Sequence, residues 1–137
     1  MIYYNNTYEI DLKGFNETEM NRKIELVFED SYFKLEQLQI TFLTDDSLLE
    51  INKEFLQHDY YTDIITFDYS EVESKVDGEL FISVERVEEN AIEFKENFEN
   101  EIQRVILHGC LHLCGMNDQS EEEKNEMRKK ENYYLIK

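Results

Sequence analysis

The sequence predicts an α+β fold: a small mixed four-stranded sheet packed with about five helices. Three observations carry that reading. Four short segments are β-branched or aromatic or alternate apolar and polar residues, and longer segments repeat apolar residues every three or four positions. Along the chain these segments run β-α-β-α-β-β-α-α-α. No internal repeat and no Gly-, Ser- or Pro-rich linker divides the 137 residues, so residues 1–137 read as one domain.

Met1 to Leu12 alternates loosely and ends near Gly14, as a first strand would. Asn16-Glu17-Thr18-Glu19 starts a helix, with Asn16 as N-cap, Glu19 three residues on, and Met20, Ile24, Val27 and Phe28 as the apolar stripe. Leu38 to Leu43 alternates with period two and is a second strand. Thr44-Asp45-Asp46-Ser47 is a dense capping cluster ahead of a short helix through Leu48, Leu49, Ile51, Asn52 and Phe55. Leu56 to Asp63 reads as a loop, and Ile64-Ile65-Thr66-Phe67 as a third strand. Asp77-Gly78 reads as a turn before a fourth strand, Glu79 to Ser83. Val84 to Phe98 has a helical pattern with Val87, Ala91, Phe94 and Phe98 on one side. A further helix covers Glu99 to Cys114 and stops at Gly115. The last helix runs from Ser120 to about Tyr134, with acids at its start and Arg128-Lys129-Lys130 near its end, a polarity that suits the helix dipole.

Composition narrows the function. Hydrophobic residues make up 41% and aromatics 13%, enough for a core despite 34% charged residues. No apolar run reaches the ~18 residues of a membrane span, so no membrane partner is expected. Met1 to Asn6 lacks the basic and apolar regions of a signal peptide, and two cysteines make no disulfide scaffold, so a reducing cytoplasm is expected. Fourteen Lys and Arg against 32 Asp and Glu give a net charge of −18. Most of such a surface repels polyanions, and any nucleic-acid function needs a local positive site or a metal.

Chemistry concentrates in Val105-Ile106-Leu107-His108-Gly109-Cys110-Leu111-His112-Leu113-Cys114-Gly115-Met116-Asn117-Asp118. Apolar residues surround the helix, which marks it as buried on nearly every side. His108 and His112 stand one turn apart, about 40° around the axis, and can point at one spot. Neutral imidazoles suit zinc or iron. Asp118 is the nearest third ligand. On an unbroken helix it would lie about 15 Å from His108 along the axis. The helix must therefore end after His112 and the chain fold back, and Gly115 is suited to the left-handed conformation that does this. Three protein ligands leave a position for water. The alternative is two core histidines satisfied by backbone carbonyls or a carboxylate, with Asp118 as N-cap of the last helix. Cys110 and Cys114 lie about 160° around the helix from the histidines and read as small buried hydrophobes.

In zinc peptidases Glu follows the first His as general base; here it is Gly109, which disfavours peptidase chemistry. Two His and one Asp also resemble an iron(II) facial triad. Metal-assisted hydrolysis fits a helical site better.

His108-Gly109-Cys110-Leu111-His112-Leu113-Cys114-Gly115, followed by acidic residues, resembles the signature His-Gly-x-Leu-His-Leu-x-Gly-Tyr-Asp-His of the YbeY family of bacterial rRNA-maturation endoribonucleases. Asn52 to Phe67 is similar to the family's Asn…Thr-Asp-Val-Leu-Ser-Phe segment, and Gly78 to Ile82 to its Gly-Asp-Ile strand. Met127 and Glu131 fall where its last helix often has Met and Glu. The likeness covers roughly residues 35 to 135. Asp118 stands where the family has its third metal-binding His, Met116 and Asn117 replace Tyr and Asp, and Leu56 replaces an Arg implicated in RNA cleavage.

The resemblance implies a zinc site of His108, His112 and Asp118. It implies a single-strand endoribonuclease acting in small-subunit rRNA maturation and ribosome quality control. RNA is the implied partner, with ribosomal or ribosome-assembly proteins as guides for so acidic a chain. Thr62, Asp63 and Thr66 would line the substrate cleft. Arg104, one turn before His108, faces either the rim of the site or solvent beside Glu101. His58, two residues after Leu56, is either a proton donor or phosphate contact, or an ordinary loop histidine. Two other functions fit the residues: a metal-dependent hydrolase of a small substrate, and a non-catalytic assembly factor with a structural metal.

Overall fold

Side chains alternate across a strand, so one strand can feed two layers at once. Leu38, Ile40 and Phe42 of one strand and Val76, Leu80 and Ile82 of another fall on the same face and enter the main core. Leu43, Ile65, Phe67 and Phe81 fall on the opposite face and form a smaller cluster with Leu48. A computed structural model describes Met1–Lys137. The elements follow the expected order: β1 (Ile2–Asn5), α1 (Glu17–Asp30), β2 (Lys34–Leu43), α2 (Asp45–Leu56), β3 (Ile64–Asp68), β4 (Lys75–Ser83), α3 (Val84–Glu93), α4 (Phe98–Leu113) and α5 (Glu121–Leu135). The sheet order is β1-β2-β4-β3, with β1, β2 and β4 parallel and β3 antiparallel to β4. The fold is α+β with a mixed four-stranded sheet and five helices.

Helix starts follow the capping residues. Asn16 Oδ1 accepts from the Glu19 N–H at 3.0 Å, and Thr44 Oγ1 from the Ser47 N–H at 3.2 Å. Ser120 and Glu123 form a reciprocal capping box at the start of α5. That assigns the cap to Ser120 and leaves Asp118 free of it. Helix α4 is buried along most of its length, from Glu101 to Leu113. It packs against the sheet, α1, α3 and α5.

The structure corrects four boundaries, one of them the start of β2, which is Lys34 and not Leu38. The first strand ends at Asn5, because the Asn6 side chain bonds both the N–H and the carbonyl of Ile10 (3.0 and 2.9 Å) and folds the chain into a loop. Asp77-Gly78 is not a turn but lies inside β4, paired with Gln37 and Leu38. A Cβ on Gly78 would stand 2.9 Å from both Leu113 methyls, so the glycine serves a close approach of helix to sheet. The helix after Ser83 stops at Glu93; Lys95 takes a positive φ of 57° and Asn97 caps α4, which leaves Phe94 exposed. The run Arg128-Lys129-Lys130 lies before the last turn of α5, which holds no basic residue.

Candidate metal centre

His108 and His112 project from the second half of α4 on the turns bracketing Gly109. A Cβ at Gly109 would meet Ile64 Cδ1 and Leu80 Cδ2 at 2.8 Å, so the missing side chain lets this part of α4 lie directly on β3 and β4. Helix α4 then ends as the fold-back requires. Gly115 has φ 92°, its N–H donates to the His112 carbonyl (2.9 Å), and the Met116 N–H donates to the Leu111 carbonyl (3.1 Å). These two bonds are a Schellman motif. The turn returns Asp118 to the histidines and also aims the Met116 carbonyl at His112.

Three ligand atoms result. His108 Nε2 and His112 Nε2 are 3.0 Å apart, and Asp118 Oδ2 lies 3.2 Å from the first and 3.3 Å from the second. Bonds of 2.0–2.1 Å to one tetrahedral ion give ligand separations of about 3.3 Å. The outer partners decide where the protons sit. His108 Nδ1 is 2.7 Å from Glu131 Oε2, and His112 Nδ1 is 2.9 Å from the Met116 carbonyl oxygen. Carboxylate and carbonyl oxygens only accept, so each neutral ring carries its proton on Nδ1. Both Nε2 lone pairs and the Asp118 oxygen then converge on one point, where a single cation could meet all three. The donor set and its spacing fit a divalent ion of the zinc class.

Glu131 sits on a buried stripe of α5, between Met127 and Tyr134 at helical spacing. Its second oxygen is 3.3 Å from Arg104 Nη1, which also donates to Asn132 Oδ1 at 2.8 Å. Arg104 Nε lies 3.7 Å from Glu101. Arg104, Glu131 and His108 thus form one connected line from α4 to α5 and back. In the metal-free state burial pushes the His108 pKa down, but the Glu131 hydrogen bond and the charges of Glu131, Asp118 and Asp63 outweigh it and hold it above its usual value.

Two hollows meet at His108 and Asp118. The first, called the cleft, is about 510 Å³ and includes His58, Thr62, Asp63, Thr66, His112 and Leu56 in its lining. His58 sits on the loop after α2; its Nδ1 is 3.0 Å from the Tyr60 hydroxyl and its ring stacks on Tyr60. Buried Asn52 holds that loop, donating to the Tyr60 carbonyl at 2.9 Å while its own carbonyl accepts from the His58 N–H. Asp63 accepts from Asn90 at 3.1 Å, and burial pushes its carboxyl above the usual carboxylate range. The second hollow, about 500 Å³, lies between α3, α4 and α5 and includes Arg104 in its lining. Cys110 lies in the main core, and neither cysteine is among the clustered ligand atoms.

Sequence reasoning noted the place of Glu131 without giving it a role. The available signal was a carboxylate at i+4 from Met127 on an otherwise apolar stripe, which a buried cationic or histidine partner must answer.

Comparison with known proteins covers nearly the whole chain. The family described as "Endoribonuclease YbeY" matches residues 3–137, beyond the span of the motif resemblance. Endoribonuclease YbeY of Flavobacterium psychrophilum is 42% identical over 135 residues, 98% of this chain and 94% of that protein. The same protein of Parabacteroides distasonis is 42% identical over 127 residues, 93% and 89%. The solution structure of TM1509 from Thermotoga maritima superimposes with a TM-score of 0.69 at 29% identity, covering 98% of this chain and 87% of that one. A sheet, a His-x-x-x-His helix and a glycine-returned carboxylate that all fall inside one family match leave a single assignment: the chain belongs to the YbeY family.

Proposed function

We propose that the protein is a zinc-dependent single-strand endoribonuclease acting in small-subunit rRNA maturation and ribosome quality control. In this reading residues 1–137 work as one domain in the cytoplasm, and ribosomal or assembly proteins bring the acidic chain to its RNA. The observation that carries the reading is the convergence of three lone pairs from His108, His112 and Asp118 at the junction of two hollows, in a chain of the YbeY family. No helix is long and apolar enough to cross a membrane.

Bound there, a divalent ion supplies Lewis acidity toward a phosphodiester oxygen and makes water acidic enough to act as nucleophile near neutral pH. The chain's own residues prepare that chemistry. Glu131 and the Met116 carbonyl hold both rings in the Nδ1-protonated tautomer. Thr62, Asp63 and Thr66 form the wall of the cleft beside the cluster. His58 is the proposed proton donor or phosphate contact, since it lines the same cleft and has only Tyr60 as ring partner. Leu56, in the same wall, supplies no charge.

The experiment is cleavage of a single-stranded rRNA fragment by zinc-loaded protein. Wild type cleaves and His112→Ala does not; equal products from both would overturn the reading. Equal rates for wild type and His58→Ala would remove His58 from it.

A further inference from the structure

The two hollows at the cluster differ in charge. The cleft lining includes no Lys or Arg. The hollow between α3, α4 and α5 has three, Arg104, Lys124 and Arg128, in a chain with only 14. We propose that this hollow is a phosphate-binding subsite in which Arg128 and Lys124 hold the RNA backbone phosphate next to the one at the cluster. The proposal rests on the ribonuclease reading and gives the substrate a direction across the site.

The partners of each charge point the same way. Four carboxylates also line the hollow: Asp63, Glu101, Asp118 and Glu131. Three are already engaged: Glu131 takes His108 and Arg104, Asp63 accepts from Asn90, and Asp118 belongs to the cluster. Glu101 is buried, 3.7 Å from Arg104 Nε, with one oxygen lacking a hydrogen-bond partner. Arg104 is engaged in turn and only 11% exposed, so it holds the frame and has little left for a ligand. Arg128 and Lys124 are different. Arg128 Nη1 reaches Glu131 only at 3.7 Å and Lys124 Nζ reaches Glu121 only at 3.9 Å, both beyond hydrogen-bond length. Their side chains are 54% and 56% exposed. Lys124 and Arg128 are four residues apart on α5, so they share one helix face. Beside them Asn125 adds an amide to the same lining. A planar guanidinium and a mobile ammonium on one face suit two oxygens of a phosphodiester.

Three cations against four carboxylates leave the empty hollow unfavourable for an anion. A divalent ion at His108, His112 and Asp118 reverses the sign. Phosphate binding in the hollow therefore depends on loading the cluster, which gives an acidic protein a local and conditional positive site.

The test is binding of a fluorescent single-stranded RNA oligonucleotide to zinc-loaded protein across a salt series, without turnover, with zinc content measured on each sample. Each phosphate contact on a single strand contributes about 0.7 to the slope of log affinity against log salt. The double variant Lys124→Gln/Arg128→Gln keeps its zinc, binds RNA about tenfold more weakly at low salt, and, having lost one phosphate contact, has a slope shallower by about 0.7. Lys129→Gln, which lies in a different groove of α5, leaves affinity and slope as in wild type. An unchanged slope in the zinc-loaded double variant overturns the subsite while wild-type binding and cleavage leave the ribonuclease reading standing. An equal loss in Lys129→Gln also overturns it, by reducing the effect to net charge. Wild type that neither binds nor cleaves RNA overturns both.

Discussion

His108 Nδ1 lies 2.7 Å from Glu131 Oε2, and both groups are largely withdrawn from water. The carboxylate accepts the ring proton, so the lone pair of His108 faces His112 and Asp118. This is the arrangement that raises ligand basicity and fixes ring orientation in metal sites. Glu131 is itself held by Arg104, so the orientation of one imidazole depends on a contact between two helices.

Replacing Glu131 by Gln keeps the shape and removes the charge. We expect zinc affinity to fall by about 10- to 100-fold, measured by competition with a chromophoric chelator. An affinity equal to wild type would mean that packing alone orients His108.

A proton and the proposed metal would compete for the same lone pairs, and this sets a pH dependence. In the metal-free protein the His108 pKa lies above its ordinary value of about 6.5, so the folded state binds that proton more tightly than the unfolded chain. Its stabilisation is complete below about pH 6.5 and fades as pH rises through the raised value. Urea unfolding of chelator-stripped wild type and His108→Gln should show a stability difference that is largest at low pH and shrinks on the alkaline side. A difference that grows with pH would contradict the placement of Glu131 and Asp118 around this ring.

The return of Asp118 depends on Gly115 at φ 92°. There is open space around it, so Gly115→Ala meets no clash and the cost is conformational. A left-handed L-residue costs roughly 1–2 kcal/mol, and we expect a stability loss of that size in urea titration together with weaker zinc binding. Full stability and affinity would mean that the turn does not control the third ligand.

Cys110 is enclosed in the core, and burial pushes its thiol pKa up. It should resist a thiol reagent in native protein and react once the chain is unfolded in guanidinium. Rapid native labelling of Cys110, read by mass spectrometry of peptides, would contradict its packing.

Much of this was legible in the chain. The element order, the caps at Asn16 and Thr44 and the glycine break all act within a few residues, and local chemistry decides them. The site was legible for the same reason: His108 and His112 are a helical pair, and Asp118 is six residues on. Most of what failed to read out was tertiary. Asp77-Gly78 has turn chemistry, but Leu113 of a distant helix uses the missing Cβ. One local contact escaped as well: Asn6 ended a strand by bonding Ile10 four residues on, which alternation cannot reveal. Glu131 acts across 23 residues, so its role emerges only when α4 and α5 pack.

The most direct measurement is metal content of the purified protein by elemental analysis, wild type beside His112→Ala, after equilibration with zinc and removal of excess. The account predicts one tightly held ion per wild-type chain and none in the variant, with both folded by circular dichroism. A folded wild type that retains no ion, or a variant that retains as much, would contradict it.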